Sequence, residues 1–206
     1  MLYYRTIDSK TLELLKEIQK IKIFENLLLV GDTSLALQMG HRLSVDLDLF
    51  GELNADRQEI ITELSKLGEL KTIHFTNNIN IFTLNGVKID IVNYVYPWLK
   101  KKLVIDDIKL ANIIDISAMK IAAITGRGTM KDFIDLYYLL KQFSLKQILE
   151  FYEQKYSDAS VFMAIKSLTY FVDVDEDIMP KMFEKVNWEN VKTEIKQQVL
   201  NYSFIQ

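Results

Sequence analysis

Residues 31–50, GDTSLALQMGHRLSVDLDLF, join a glycine turn to two carboxylates spaced one residue apart. Just upstream, Leu27 to Val30 is an apolar run of buried-strand length. Gly31 breaks that run, and Ser34 to Met39 has the composition of a short helix. Asp46 and Asp48 fall in a second predicted strand. Side chains on a strand alternate between faces, so Ser44, Asp46, Asp48 and Phe50 are expected on one side and Val45, Leu47 and Leu49 in a core. An isolated Asp-x-Asp pair is ordinarily a solvated strand face, so the pair needs further support.

A third acid supplies it. INIFTLNGVKIDIVNY reads as a β-hairpin whose Asn85-Gly86 pair suits a tight two-residue turn, with Asp90 on the return strand. There Val87, Ile89 and Ile91 share one face and Lys88 and Asp90 the other, so Asp90 joins Asp46 and Asp48 if the strands are neighbours. Like charges about 4 Å apart repel by roughly 4 kcal/mol at an effective dielectric near 20, and a divalent cation would offset that repulsion. Oxygen ligands without cysteine or paired histidines favour Mg2+ or Mn2+ over zinc, and such ions share their coordination with phosphates, which implies an NTP substrate. Backbone amides at the Gly31 turn, with the Thr33 and Ser34 hydroxyls, form a candidate anion site; a plain strand-to-helix turn is the other reading.

The Gly-initiated turn, the LAL run, GHRLSVDLDLF and the hairpin with its third Asp together resemble the DNA polymerase β-type nucleotidyltransferase superfamily. Within it they resemble the AbiEii/AbiGii group, the nucleotidyltransferase toxins of abortive-infection and type IV toxin-antitoxin systems. Residues 113–140, IIDISAMKIAAITGRGTMKDFIDLYYLL, resemble that group's second signature: a helical lysine, a basic loop, and a helix with two spaced acids. The resemblance implies that Asp46 and Asp48 are metal ligands and that Asp90 is the third acid, helping to activate the acceptor nucleophile. It places Lys120 near the nucleotide phosphates, matches Asp132 and Asp135 to the acids of the later helix, and puts Lys131 where the family often has arginine. The phosphate-side set is then Gly31, Thr33, Ser34, Arg42, Ser44 and Lys120. It further implies transfer of an NMP from an NTP to an acceptor hydroxyl, the acceptor being RNA such as a tRNA 3′ end, by a toxin with a cognate antitoxin. One position departs from the pattern: Asp32 stands where the family has a second small residue. A carboxylate there repels a triphosphate unless it points away, binds metal, or is neutralised by Lys120 or Arg42. The alternatives are therefore an impaired binding module of the same fold, or transfer to a small molecule or a protein.

Several of these residues also have plain structural readings. Asp132 suits a solvated helix face near a favourable N-terminal dipole, Lys120 a snorkelling surface lysine, and Arg42 a partner for a carboxylate. Asp115 and Ser117 are candidate caps for one helix, and Thr129 for the next. Asp173, Asp175 and Asp177 alternate but lack the glycine and glutamate of an EF-hand loop, so they read as a solvated acidic loop. Lys100 to Lys102, following Tyr94, Tyr96 and Trp98, is the best local basic and aromatic mixture for a nucleic-acid end, with a solvated loop favoured over it.

At 206 residues, 49% of them hydrophobic, the chain buries a substantial core, and a net charge of −3 argues against broad nucleic-acid binding. It has no cysteine, no apolar run of membrane-spanning length and no secretion-signal layout, so a cytoplasmic location is expected. A first helix capped by Asp8 or Ser9 should run to about Ile21, another helix should lie near Asp56 to Leu67, and LKTIHF should be a strand. From about Asp106 the pattern turns helical. The expected architecture is α+β: a small mixed β-sheet core flanked by helices over residues 1–105, and a helical C-terminal part over residues 106–206.

Overall fold

The computed structural model describes residues 1–203 and is a mixed α/β protein organised as two compact units. The first comprises Met1–Tyr96 and Lys101–Asn112. The second comprises Pro97–Lys100 and the chain from Ile113 onward.

A seven-stranded sheet forms the first unit. Its strands are β1 (Leu28–Leu29), β2 (Leu47–Gly51), β3 (Leu70–Phe75), β4 (Ile79–Leu84), β5 (Val87–Asn93), β6 (Leu103–Ile105) and β7 (Ile108–Leu110), in the order β3-β4-β5-β2-β1-β7-β6. The β4–β5 hairpin turns on Asn85 and Gly86, with φ of 52° and 84°, the geometry that Asn-Gly favours. β2 runs antiparallel to β1 and parallel to β5. Leu47, Leu49, Ile89 and Ile91 therefore line one fully buried face, joined there by Leu15 and Ile18 of α1 (Ser9–Lys20). Each fully buried Leu or Ile contributes roughly 1.5–3 kcal/mol.

Asp8 caps α1 by accepting the Thr11 backbone N–H at 3.0 Å, and the Thr11 hydroxyl and N–H together hold its carboxyl below the usual range. Asp56 likewise caps α3 (Arg57–Ser65). β3 closes one border of the sheet, and its register shifts between Thr72 and His74, leaving Ile73 58% exposed.

Two local readings are corrected by the structure. β2 begins at Leu47, so Asp46 precedes the strand and Val45 is 52% exposed instead of buried. The chain past Asp106 is not yet helical: Leu103–Leu110 is a hairpin whose turn residues Asp106 and Asp107 both take positive φ, 51° and 65°. Aspartate tolerates that region because its short polar side chain hydrogen-bonds locally. The Tyr4 hydroxyl donates to Asp106, and burial together with that carboxylate pushes the phenol up to about 12.

The second unit is helical: α4 (Ile113–Arg127), α5 (Met130–Leu139), α6 (Leu145–Lys155), α7 (Val161–Leu168) and α8 (Trp188–Ser203). α4 packs against α5, α6 and α7. Phe133, Phe171 and Trp188 form a cluster with ring centroids 5.0–6.1 Å apart. Within this unit Lys155 and Asp115 form an ion pair of 2.8 Å whose side chains are both 0% exposed. Lys155 Nζ also donates to the Pro97 carbonyl at 2.8 Å and lies 4.5 Å from the Trp98 ring centre. Asp115 accepts the backbone N–H groups of Leu99 and Lys100 at 2.8 and 3.1 Å. Burial pushes the Lys155 ammonium below its ordinary value, and Asp115 pulls it back up. Asp115 is thus the acceptor that pins Pro97–Lys100 to the helices.

Candidate active site

In the first unit the register of β2 and β5 sets Asp48 directly beside Asp90 on the face opposite the core. Both are half-buried. Asp48 is fixed from two sides: its carbonyl accepts the Val30 N–H at 2.9 Å, and its carboxylate lies against the Cα of Gly31. Gly31 opens α2 (Gly31–Met39) with φ of +63°. A Cβ there would overlap the Asp48 carboxylate. Gly31→Ala is therefore expected to cost roughly 1–2 kcal/mol in backbone strain and to displace Asp48, read as a lower urea midpoint together with weaker Mn2+ binding by calorimetry.

Asp46 lies one residue before β2, half-buried, and its carbonyl accepts the Thr33 hydroxyl. Thr33 and Ser44 are buried and their hydroxyl oxygens lie 2.8 Å apart. The Ser34 hydroxyl accepts from Gln38 Nε2 at 3.1 Å, and the same amide donates to the Ala111 carbonyl. These hydroxyls brace the turn from within. Asp32 is buried and ion-paired to Arg42, Nη2 to Oδ2 at 3.3 Å, so the charge at the turn is neutralised by an arginine that is itself 2% exposed.

Asp90 is paired with Lys88 two residues earlier on β5, Nζ to Oδ1 at 2.7 Å. Among the described residues, Asp46, Asp48 and Asp90 do not bring one carboxylate oxygen apiece within 4.8 Å of one another. Mutual repulsion and the pull of Lys88 on Asp90 account for that spacing. The donors are nonetheless all half-buried carboxylate oxygens, the donor type that a hard divalent cation takes, with Asp48 and Asp90 side by side on one sheet face and Asp46 just before β2.

In the second unit, Lys120 of α4 is 4% exposed and reaches two acids of α5, Asp132 Oδ1 at 2.9 Å and Asp135 Oδ2 at 2.7 Å. The second Asp132 oxygen accepts the Thr129 N–H and hydroxyl at 3.0 and 2.7 Å, fixing the start of α5. Lys120 is thus a buried ion-pair lysine and does not snorkel, and Asp132 is a capping acid and not a solvated one. Asp115, read as a cap, instead partners Lys155. That partner is 40 residues away and carries no local sequence signal. Asp177, read as part of a solvated loop, accepts the Met130 N–H at 2.9 Å.

The family described as "Nucleotidyl transferase AbiEii toxin, Type IV TA system" matches residues 13–203, and the chain belongs to it. An uncharacterized protein of Aquifex aeolicus (strain VF5) is 31% identical over 206 residues, covering 96% of this chain and 98% of that protein. Among solved structures, JHP933 from Helicobacter pylori matches with a TM-score of 0.59 at 16% identity, covering 94% of this chain and 92% of that one. MenT4, a nucleotidyltransferase toxin from Mycobacterium tuberculosis H37Rv, matches with a TM-score of 0.56 at 12% identity, covering 91% and 80%. The fold is that of nucleotidyltransferases, and the sequence resemblance to the AbiEii group is borne out.

Proposed function

We propose that this protein transfers a nucleoside monophosphate from an NTP to an acceptor hydroxyl, releasing pyrophosphate, and that the acceptor is RNA, such as a tRNA 3′ end. The observation that carries the reading is the pairing of Asp48 with Asp90 across β2 and β5, beside a left-handed glycine that opens a helix. Asp46, Asp48 and Asp90 would hold Mg2+ or Mn2+, which supplies charge neutralisation of the triphosphate and of the departing pyrophosphate. Asp90 would also take the proton of the acceptor hydroxyl, once released from Lys88. The Gly31 turn offers helix-start amides for phosphate oxygens, with Thr33, Ser34 and Ser44 holding its shape and Arg42 cancelling Asp32. The family resemblance assigns Lys120, held within the helical unit by Asp132 and Asp135, a phosphate-side role.

Family membership supports a cellular role as a toxin with a cognate antitoxin, and a cytoplasmic site of action belongs to the same proposal. No helix among the described residues is long and apolar enough to cross a membrane.

The test incubates the protein with Mg2+ or Mn2+, each of the four α-phosphate-labelled NTPs and total cellular RNA. Label in RNA supports the reading; label in protein or a small solute redirects it to another acceptor. One observation favours the second reading, a binding module without turnover: Lys88 already occupies Asp90. Binding of magnesium-NTP without transfer to any acceptor, unaffected by Asp46→Ala, would select it.

A further inference from the structure

The helical unit contains a cavity of about 520 Å³ between the end of α4, the Gly126–Gly128 loop, the start of α5, α7 and the acidic turn that follows it. Pockets of roughly 300–1,000 Å³ with an apolar lining and a few convergent polar groups are the size and chemistry of small-ligand sites. Its floor is apolar and buried: Ile124, Phe133 and Val174 are each 5% exposed or less. Tyr170, on the rim, is exposed.

The charges divide into two kinds. Asp173 and Asp177 each engage one oxygen with the protein, Asp173 from the Tyr170 hydroxyl at 3.2 Å and Asp177 from the Met130 N–H at 2.9 Å. Arg127 and Lys166 line the same cavity, and neither makes a carboxylate ion pair among the described residues. An anionic ligand group is therefore drawn to the two cations. Donor hydroxyls are drawn to the carboxylate oxygens, and a flat apolar ring to Phe133 and Tyr170. Carboxylates recognise ribose hydroxyls, guanidinium and ammonium groups recognise phosphate, and aromatic side chains stack bases.

We propose that this cavity is a binding site for a ribonucleoside monophosphate unit, with phosphate on Arg127 and Lys166, ribose hydroxyls on Asp173 and Asp177, and the base over the Phe133 floor. The site lies wholly within the helical unit and does not depend on the transfer reaction. The same chemistry is presented by a free nucleotide and by the terminal residue of an RNA strand.

Calorimetry on the full chain in EDTA, so that no divalent ion contributes, tests the site with AMP, GMP, CMP, UMP, their 2′-deoxy counterparts and a short oligoribonucleotide. Saturable binding of at least one ribonucleotide is expected, weaker for its deoxy form and retained in Asp48→Asn. Arg127→Gln with Lys166→Gln should weaken it by about tenfold or more, and Ser167→Trp, which fills the cavity, should remove it. Circular dichroism checks the fold of the filled variant, and the two exposed cations supply a second, surface pair of substitutions. Tighter binding of the oligoribonucleotide with the same sensitivity assigns the site to an RNA end; equal or weaker binding assigns it to free nucleotide. Absence of binding by every probe, or binding indifferent to both sets of substitutions, overturns the proposal.

Discussion

Asp48→Asn is expected to lower nucleotidyl transfer by a factor on the order of 10²–10³ or more while leaving the fold intact. Asparagine keeps the shape that packs against Gly31, so the turn is undisturbed, but it removes the anionic oxygen proposed for the metal and half of the Asp48–Asp90 pair. Initial rates of pyrophosphate release at saturating NTP, with a thermal melt of each variant, separate chemistry from folding. Asp46→Asn should behave alike. Transfer at the parent rate in the Asp48 variant would remove these acids from the reaction.

The second large effect concerns stability. Lys155→Met leaves Asp115 charged, fully buried and without its cation, and breaking such a pair costs about 3–5 kcal/mol. The substitution also deletes the hydrogen bond to the Pro97 carbonyl and the contact with Trp98. Urea unfolding should show a lower midpoint. Adding Asp115→Asn should restore part of the loss, because asparagine carries no charge yet still accepts from the Leu99 or Lys100 N–H. A single variant as stable as the parent would show that the pair is not what anchors Pro97–Lys100.

How much of this was legible beforehand depended on distance along the chain. The Asn85-Gly86 turn, the alternation of Val87 to Asp90 and the Asp8 cap are written in adjacent residues, and each forms as read. The Asp106-Asp107 turn escaped because two aspartates in the left-handed region are unusual, while the short strands beside them carry too few residues to show a period. Val45 misled for a related reason: alternation locates faces only inside a strand, and β2 starts two residues later. The Asp115–Lys155 pair joins residues 40 apart in sequence. The role of Arg42 as partner of Asp32 was one of two open readings, and only packing decided it. Asp48 and Asp90 were legible as neighbours on one sheet face, whereas Asp46 falls before the strand. The spacing of the acids was not legible, because it depends on Lys88, whose charge was seen but whose grip on Asp90 is a matter of rotamer.

The register break in β3 bears on how readily a second chain could add to the sheet. An unpaired sheet border offers hydrogen-bonding groups to any passing chain, and a flat, uninterrupted one templates fibrils. Here the irregularity at Thr72 and His74 divides the border into two pieces too short to recruit a neighbour in register, despite the outward-facing Ile73. Just before the break Lys71 is ion-paired to Glu69, so the border also carries charged groups that an approaching strand would have to accommodate. Straightening that kink would lengthen the continuous border open to a neighbouring strand.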